Sequence, residues 1–175
     1  MDEADRSLVD RHGYASQEAV NLLLVGKACS NVFDGDRTLS DEVRGSSDAV
    51  ILKGVPRTAD VGLLTLHEAY GQSPVGDRLK RPRRPVWVVY SESHYSVLVC
   101  PADDSDRKRF DVFYWDGLAG QDERIRLTID AAHYDDRRTP PDPDAPGALV
   151  PPLDLVVRTR WPRARVDWND AEPIL

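Results

Sequence analysis

The chain is poor in cysteine and has no long apolar run. Its two cysteines, Cys29 and Cys100, could form one disulfide at most, so a disulfide-stabilised scaffold is excluded and we expect reduced thiols. No apolar segment approaches the roughly 20 residues that cross a bilayer, and residues 1–5 contain neither a basic nor an apolar signal segment. We therefore expect no membrane partner and a location in the cytoplasm, with the nucleus as a second compartment.

Positive charge is in the minority, and sequence motifs for metal or nucleotide binding are missing. The 23 lysines and arginines against 30 aspartates and glutamates give a net charge of -7, which opposes binding to the phosphates of nucleic acid. The basic residues 80–84 are interpreted as a solvated connection before a strand. No CxxC, HExxH or P-loop sequence occurs, so we predict no metal, no cofactor and no nucleic-acid partner.

The residues that are present indicate one domain, or part of one, over residues 1–175, since 41% of them are hydrophobic. Residues 17–26 predict a buried apolar helix that Ser16 caps, and residues 59–69 predict a second, short helix. Prolines among charged residues at 135–148 cannot bury apolar surface, so this segment is predicted to be a mobile insertion.

The strand signals lie in the second half of the chain. Four β-branched or aromatic runs separated by turn residues predict an antiparallel meander, at residues 86–90, 94–100, 110–115 and 125–129. The first of these strands is predicted to be buried on both faces. A further apolar run at residues 153–160 predicts one more strand. Together with the helices, these strands indicate an α+β fold.

Among the four histidines, His94 has the setting of a functional residue. It follows the polar residues 91–93, which interrupt an otherwise apolar ribbon, so its imidazole can be partly desolvated and still reach a cleft. The alternative is a buried histidine that one hydrogen bond satisfies. His12, His67 and His133 lie in polar or weakly structured segments and are predicted to be surface or packing residues.

A catalytic imidazole needs a second group that holds its tautomer and orientation. We take Cys100 to pair with Phe110 across the loop between the second and third strands of the meander. This antiparallel register places His94 opposite Asp116, with Cβ atoms roughly 5 Å apart. Asp116 and Gly117 are also a common turn pair, so an ordinary turn role is the alternative.

Neither cysteine is placed as a nucleophile should be. A reactive cysteine usually begins a helix, where the helix dipole stabilises the thiolate. Cys29 instead follows the end of the predicted helix 17–26. Cys100 lies on the same predicted strand as His94, at a distance of roughly 20 Å along an extended chain. The serines lack the glycine-flanked setting between strand and helix that a serine nucleophile needs.

Several linked sequence segments surround His94 and follow it along the chain: PVWVV (85–89), SESHYSVL (91–98), FDVFYWDGLA (110–119) and RLTID (126–130), with GKACSNVFDG (26–35) upstream. A series of linked motifs is far more specific than a single one. Together these segments resemble the MINDY deubiquitinases, specifically the third and fourth members of that family. The resemblance extends over residues 15–175 outside the insertion.

The resemblance implies a papain-like cysteine peptidase fold, of which this chain carries the carboxyl-terminal portion with an antiparallel sheet and one or two helices. It implies hydrolysis of isopeptide bonds in lysine-48-linked polyubiquitin, with ubiquitin and polyubiquitin chains as partners, no cofactor, and His94 as the general base. The family's nucleophilic cysteine lies upstream in a glycine-flanked setting that these residues lack, so the chain alone is expected to be inactive. The alternative is a non-catalytic, ubiquitin-binding fragment.

Overall fold

The computed structural model describes residues 7–39, 50–91, 93–101, 105–118, 120–132 and 150–172. Along these ranges the chain forms, in order, α1 (Gln17–Val25), β1 (Arg37–Leu39), β2 (Val50–Leu52), β3 (Gly62–Thr65), α2 (Leu66–Ala69), α3 (Asp77–Lys80), β4 (Val86–Ser91), β5 (His94–Val99), β6 (Arg109–Trp115), β7 (Ile125–Asp130), α4 (Pro152–Arg160) and β8 (Arg165–Asp167).

Six strands form one sheet in the order β3-β4-β5-β6-β7-β8, and β1 and β2 form a separate two-stranded ribbon. β3 and β4 are parallel, whereas every other neighbouring pair is antiparallel. The run from β4 to β7 confirms the predicted meander. The helices and the mainly antiparallel sheet confirm the α+β class, while the papain-like character of the fold stays a prediction.

Helix α1 has the boundaries that its sequence predicts. The Ser16 hydroxyl accepts a hydrogen bond from the Ala19 amide at 3.3 Å, which caps the first turn. Gly26 ends the helix in the left-handed conformation, with φ at 71°. The prediction that α1 is buried is wrong for its outer face, where Leu23 is 85% exposed.

The inner face of α1 is partly polar because it holds the loop that follows the helix. Asn21 is fully buried, and its side-chain amide donates to the Cys29 carbonyl at 2.7 Å and to the Asn31 carbonyl at 3.0 Å. A buried amide needs such partners. The helix therefore serves as an anchor for this loop as well as a cover for the core.

Residues 59–69 do not form the single helix that the sequence predicts, because β3 precedes the short helix α2. Gly62 lets β3 approach its neighbour closely, since a Cβ atom there would collide with the Trp87 indole. The Thr65 hydroxyl then accepts the Glu68 amide at 3.1 Å and begins α2. The close approach of the backbone at Gly62 therefore favours a strand in the first part of this segment, and the cap at Thr65 starts a helix in the second part.

Residues 153–160 form helix α4, so the prediction of a strand there is wrong. Proline is tolerated in the first turn of a helix, where its missing amide is not needed, and Pro152 takes that place. The valines of this run favour a strand locally. Packing against α2, β3 and β4 decides for a helix, whose buried face includes Leu153, Val156, Val157 and Arg160 at a spacing of three or four residues.

The apolar core consists of two clusters that lie on opposite faces of β4. Trp87 and Val89 belong to the larger cluster, which joins the sheet to α4. Val88 and Tyr90 pack against the smaller cluster, which includes Val25 of α1. β4 is therefore covered on both faces, as its sequence predicts, and it provides a fixed support for the next strand.

The polar stretch that precedes His94 lies at the junction of β4 and β5, where Ser91 ends β4 and Ser93 directly precedes β5. The ladder closes at the pair of Ser91 and His94, and Ser93 adopts the left-handed conformation with φ at 72°, as tight hairpin turns require. The chain therefore reverses its direction between Ser91 and His94. This reversal places His94 at the first position of β5, at one end of the sheet.

Across the ranges that the structure describes, no helix combines the length and the apolar character needed to cross a membrane. The predicted insertion at residues 135–148 and His133 lie outside the described residues. The organisation of residues 1–175 as one domain stays a prediction.

Candidate active site

His94 and Asp116 meet at one end of the sheet. His94 begins β5, Asp116 directly follows β6, and His94 Nε2 lies 2.7 Å from Asp116 Oδ2. The imidazole side chain is 32% exposed, whereas the carboxylate side chain is only 3% exposed. One ring nitrogen therefore contacts a buried carboxylate while the ring still reaches solvent.

The strand register that brings the two side chains together differs from the predicted one. β5 and β6 pair two residues away from the register of Cys100 with Phe110, because Leu98 lies opposite Tyr114. The predicted register is therefore wrong. An even offset keeps each side chain on its face of the sheet, so the histidine and the aspartate still share a face and meet along a diagonal.

Asp116 is held through both carboxylate oxygens and through its main chain. Oδ1 accepts the Leu118 main-chain N–H at 2.9 Å, and Oδ2 lies 3.4 Å from the Tyr114 hydroxyl as well as beside His94. The main-chain N–H of Asp116 donates to Gln121 Oε1. Its neighbours therefore fix the orientation of this carboxylate.

Burial and hydrogen bonding act in opposite directions on this carboxylate. Burial raises the pKa of Asp116, but the hydrogen bonds from the Leu118 amide and from His94 outweigh that effect and hold the pKa below the ordinary value of 3.8. Burial also raises the pKa of the Tyr114 phenol. Asp116 is thus an anion at neutral pH, and Tyr114 is a neutral hydrogen-bond donor.

This lowered pKa predicts how stability depends on pH. A carboxyl group whose pKa is lower in the folded state stabilises the fold above its unfolded pKa, and that contribution is lost as the pH falls through the folded pKa. Below about pH 4, the free energy of unfolding of the wild type should therefore fall more steeply than that of Asp116→Asn. Urea unfolding between pH 7 and about pH 2.5 measures both slopes.

The exposed Asp122→Asn variant is the control for the loss of one carboxylate. It should follow the wild-type slope. Equal slopes for the wild type and Asp116→Asn below about pH 4 would contradict the lowered pKa.

Both cysteines are buried away from solvent. Cys29 is 0% exposed, lies in the smaller core cluster after the end of α1, and has its Sγ 3.8 Å from the Asn31 carbonyl. Cys100 is 1% exposed, in the larger cluster beyond the end of β5. A substrate carbonyl cannot reach either sulfur without opening the core, and the identity of the nucleophile stays a prediction.

The remaining described histidines lie apart from this pair in their contacts. His12 is exposed in a turn, where its ring contacts the Arg11 side chain. His67 on α2 packs its ring against Tyr90, with 5.4 Å between the ring centroids. Within the described ranges, no three histidine, cysteine, aspartate or glutamate side chains converge as metal ligands would.

Two polar neighbours of Asp116 were not identified from the sequence. Tyr114 could have been found, because strand alternation puts it on the same face as Asp116 two residues later. Gln121 leaves no comparable signal. It lies in a polar connection between two strands, and only the folded backbone shows that its side chain turns back to Asp116.

Comparisons with known proteins agree on one family. The model of the deubiquitinating enzyme MINDY-3/4 conserved domain matches residues 1–170. The chain is 46% identical over 173 residues to the probable ubiquitin carboxyl-terminal hydrolase MINDY-4 of Homo sapiens, covering 96% of this chain and 22% of the relative. The Xenopus tropicalis protein of the same name is 43% identical over 181 residues, covering 100% of this chain and 23% of the relative.

A further relative matches over a shorter range. The ubiquitin carboxyl-terminal hydrolase MINDY-3 of Homo sapiens is 40% identical over 117 residues, which cover 62% of this chain and 24% of the relative. No solved structure gives a significant match. The chain spans about a quarter or less of the length of these relatives. The family match covers nearly the whole chain, and the chain therefore belongs to the MINDY-3/4 family of deubiquitinating enzymes.

Proposed function

We propose that this chain supplies the general base of a deubiquitinating cysteine peptidase that hydrolyses isopeptide bonds in lysine-48-linked polyubiquitin. The observation that carries the proposal is the 2.7 Å contact between His94 Nε2 and Asp116 Oδ2 in a chain of this family. Peptidases of the cysteine and serine classes move protons with a histidine that a neighbouring polar group orients. The linkage preference rests on the sequence resemblance alone.

The carboxylate decides which nitrogen of His94 acts as the base. Asp116 is ionised at neutral pH because its pKa is lowered, so it can only accept a hydrogen bond. Nε2 of the neutral ring must then carry the proton and donate a hydrogen bond to Asp116, which leaves the lone pair on Nδ1. Nδ1 is therefore the atom that takes up a proton from a nucleophile.

The proposed chemistry then follows in balanced steps. Nδ1 of His94 takes the proton of a cysteine thiol, and the thiolate attacks the carbonyl carbon at the carboxyl terminus of ubiquitin. The imidazolium gives its Nδ1 proton to the departing lysine amine, leaving a thioester. Water then hydrolyses the thioester with His94 again as the base. Asp116 stabilises the imidazolium in each step and stays unprotonated.

The nucleophile in this scheme is a cysteine outside the 175 residues. Burial and position argue against both Cys29 and Cys100, as described above. The relatives are more than four times as long as this chain and have room for a further part of the site. We propose that the longer polypeptide brings a thiol to the exposed side of the His94 ring.

A cleavage assay tests whether this chain supplies the base while another part of the polypeptide supplies the nucleophile. The purified 175-residue chain is expected not to cleave lysine-48-linked diubiquitin, since thiolate attack and oxyanion stabilisation need groups that it does not supply. A chimera in which this chain replaces the matching segment of the human MINDY-4 relative is expected to cleave the same substrate. Gel analysis of the products over time measures both.

The control variants for this assay are Cys29→Ala and Cys100→Ala. Both should leave the cleavage rate of the chimera within about threefold of its starting value, provided that the core still folds. Cleavage by the chain alone that Cys29→Ala abolishes would overturn the assignment of the nucleophile. A folded chimera without any cleavage would contradict the proposed activity.

A second function, ubiquitin binding without chemistry, is favoured by one observation. The outer face of β5 and β6 exposes neighbouring apolar side chains, with Tyr95 43%, Val97 37% and Trp115 40% exposed. A contiguous apolar patch on the surface of a protein often marks an interaction site. The variant His94→Ala distinguishes the two functions. It removes turnover under the first function, whereas it leaves the affinity for ubiquitin unchanged under the second.

A further inference from the structure

The main-chain N–H of Asp116 lies just beyond the end of a strand ladder. The last registered pair between β5 and β6 joins Val97 to Trp115, so the next amide along the chain has no partner in that ladder. Asp116 is nevertheless 2% exposed. A buried amide of this kind needs an acceptor from elsewhere.

Gln121 supplies that acceptor from the other end of the turn. Its Oε1 accepts the Asp116 N–H across five residues of chain. Within the same turn, the Leu118 N–H donates to Asp116 Oδ1 at 2.9 Å. The two hydrogen bonds run in opposite directions through Asp116, so they fix both its backbone and its side chain.

The nitrogen atom of the Gln121 side-chain amide gains no hydrogen bond from this arrangement. Nε2 of Gln121 is buried and has no hydrogen-bond partner among the described residues. An unsatisfied buried donor costs stability, and an apolar side chain of similar size would avoid that cost. The acceptor oxygen is therefore the useful part of this side chain.

We propose that Gln121 is a positioning residue of the His94 site, which acts by holding the backbone of Asp116 so that the carboxylate stays on His94 Nε2. This inference rests on the proposed function only where it concerns turnover. Its structural part concerns the ring proton of His94 and can be measured in the 175-residue chain without any activity.

The first test follows the Nε2 proton of His94 by NMR in the chain labelled with ¹⁵N-histidine, with His94→Ala used to assign the signal. Gln121→Leu keeps the size of the side chain and removes the acceptor, so the carboxylate should leave Nε2 more often. Exchange of the ring proton with water is expected to become about tenfold faster, the equivalent of one buried hydrogen bond.

Two further variants separate positioning from general damage. Gln121→Glu retains an acceptor for the Asp116 N–H, so ring-proton exchange should stay within about threefold of the wild-type rate. Gln72→Leu makes the same change at an exposed glutamine and should leave the rate unchanged. The inference is overturned if Gln121→Leu leaves the ring proton as slow as in the wild type, or if Gln121→Glu is as fast as Gln121→Leu.

If Gln121→Leu does not fold, a measurement on the wild type can still test the inference. The Asp116 amide should exchange slowly with water, because its hydrogen bond to Gln121 is buried. Exchange at the rate of an exposed loop amide would overturn the inference without any variant.

Turnover of the chimera with human MINDY-4 distinguishes this inference from the proposed function. Gln121→Leu should lower kcat by about ten- to a hundredfold and leave KM nearly unchanged, since misplacing a catalytic group affects the chemical step. A faster ring proton with unchanged kcat would support the placement of Asp116 by Gln121 and count against His94 as the base. An unchanged ring proton would refute the role of Gln121 whether or not the chimera is active.

Discussion

Replacing His94 by alanine is expected to reduce cleavage of lysine-48-linked diubiquitin by the chimera by about a thousandfold or more. Without the imidazole, the cysteine must ionise unaided and the departing lysine amine receives no proton. His94 is 32% exposed and belongs to neither core cluster, so its removal should leave the fold intact. Initial rates at saturating substrate, together with the thermal midpoint of each protein, measure the two effects separately.

The carboxylate should matter less than the ring that it orients. Asp116→Asn keeps the shape of the side chain but loses the charge that stabilises the imidazolium, so turnover should fall by about ten- to a thousandfold. His67→Ala removes a histidine that packs on Tyr90 and serves as the control, with turnover expected near the wild-type value. An active His94→Ala variant would refute the base, and a larger loss in Asp116→Asn than in His94→Ala would refute the order of importance.

The largest expected effect on stability comes from Gly54→Ala. A Cβ atom at Gly54 would collide with the carbonyl oxygens of Gly35 and Phe33, which are backbone atoms. They cannot move freely, because Gly35 donates its N–H to the Val55 carbonyl at 2.9 Å and the Phe33 carbonyl accepts the Val55 N–H at 2.8 Å. We expect Gly54→Ala to lower the free energy of unfolding by about 3 kcal/mol, at the upper end of overpacking effects.

Gly117→Ala is the matched control for this substitution. A Cβ atom there has no heavy atom within 4 Å, so the same chemical change should alter the free energy of unfolding by less than about 0.5 kcal/mol. Urea unfolding of the three proteins at neutral pH measures the difference. Equal free energies of unfolding for Gly54→Ala and the wild type would contradict the prediction, since they would mean that the backbone at Gly35 and Phe33 can move away from the new methyl group.

Local chemistry predicted much of this fold because several elements are set by their own residues. The limits of α1 follow from the hydroxyl of Ser16 and the left-handed Gly26. The four strands of the meander follow from β-branched and aromatic runs that turn residues separate. The polar stretch before His94 was informative for the same reason, because a hairpin turn must interrupt an apolar ribbon.

The predictions failed for segments whose structure depends on contacts with distant parts of the chain. The valines of α4 carry a strand preference, and only packing against α2, β3 and β4 makes that segment helical. The alternation of apolar residues in β5 and β6 fixes their faces, but it leaves any even offset of the register open. The pairing of His94 with Asp116 was within reach of the sequence because both registers place the two residues on one face. The contact of Gln121 with Asp116 depends on the path of a turn, and no periodic pattern encodes that path.

The cover on both faces of β4 gives the two halves of the candidate site unequal resistance to local opening. His94 begins the strand paired to β4, so releasing its backbone requires separation from a strand that packs against both core clusters. Asp116 lies past the last pair of its ladder and is held by two hydrogen bonds within one turn. Subglobal opening should therefore free the carboxylate first while the imidazole stays in place. Such opening would change the orientation of the His94 ring before it changed the position of the ring.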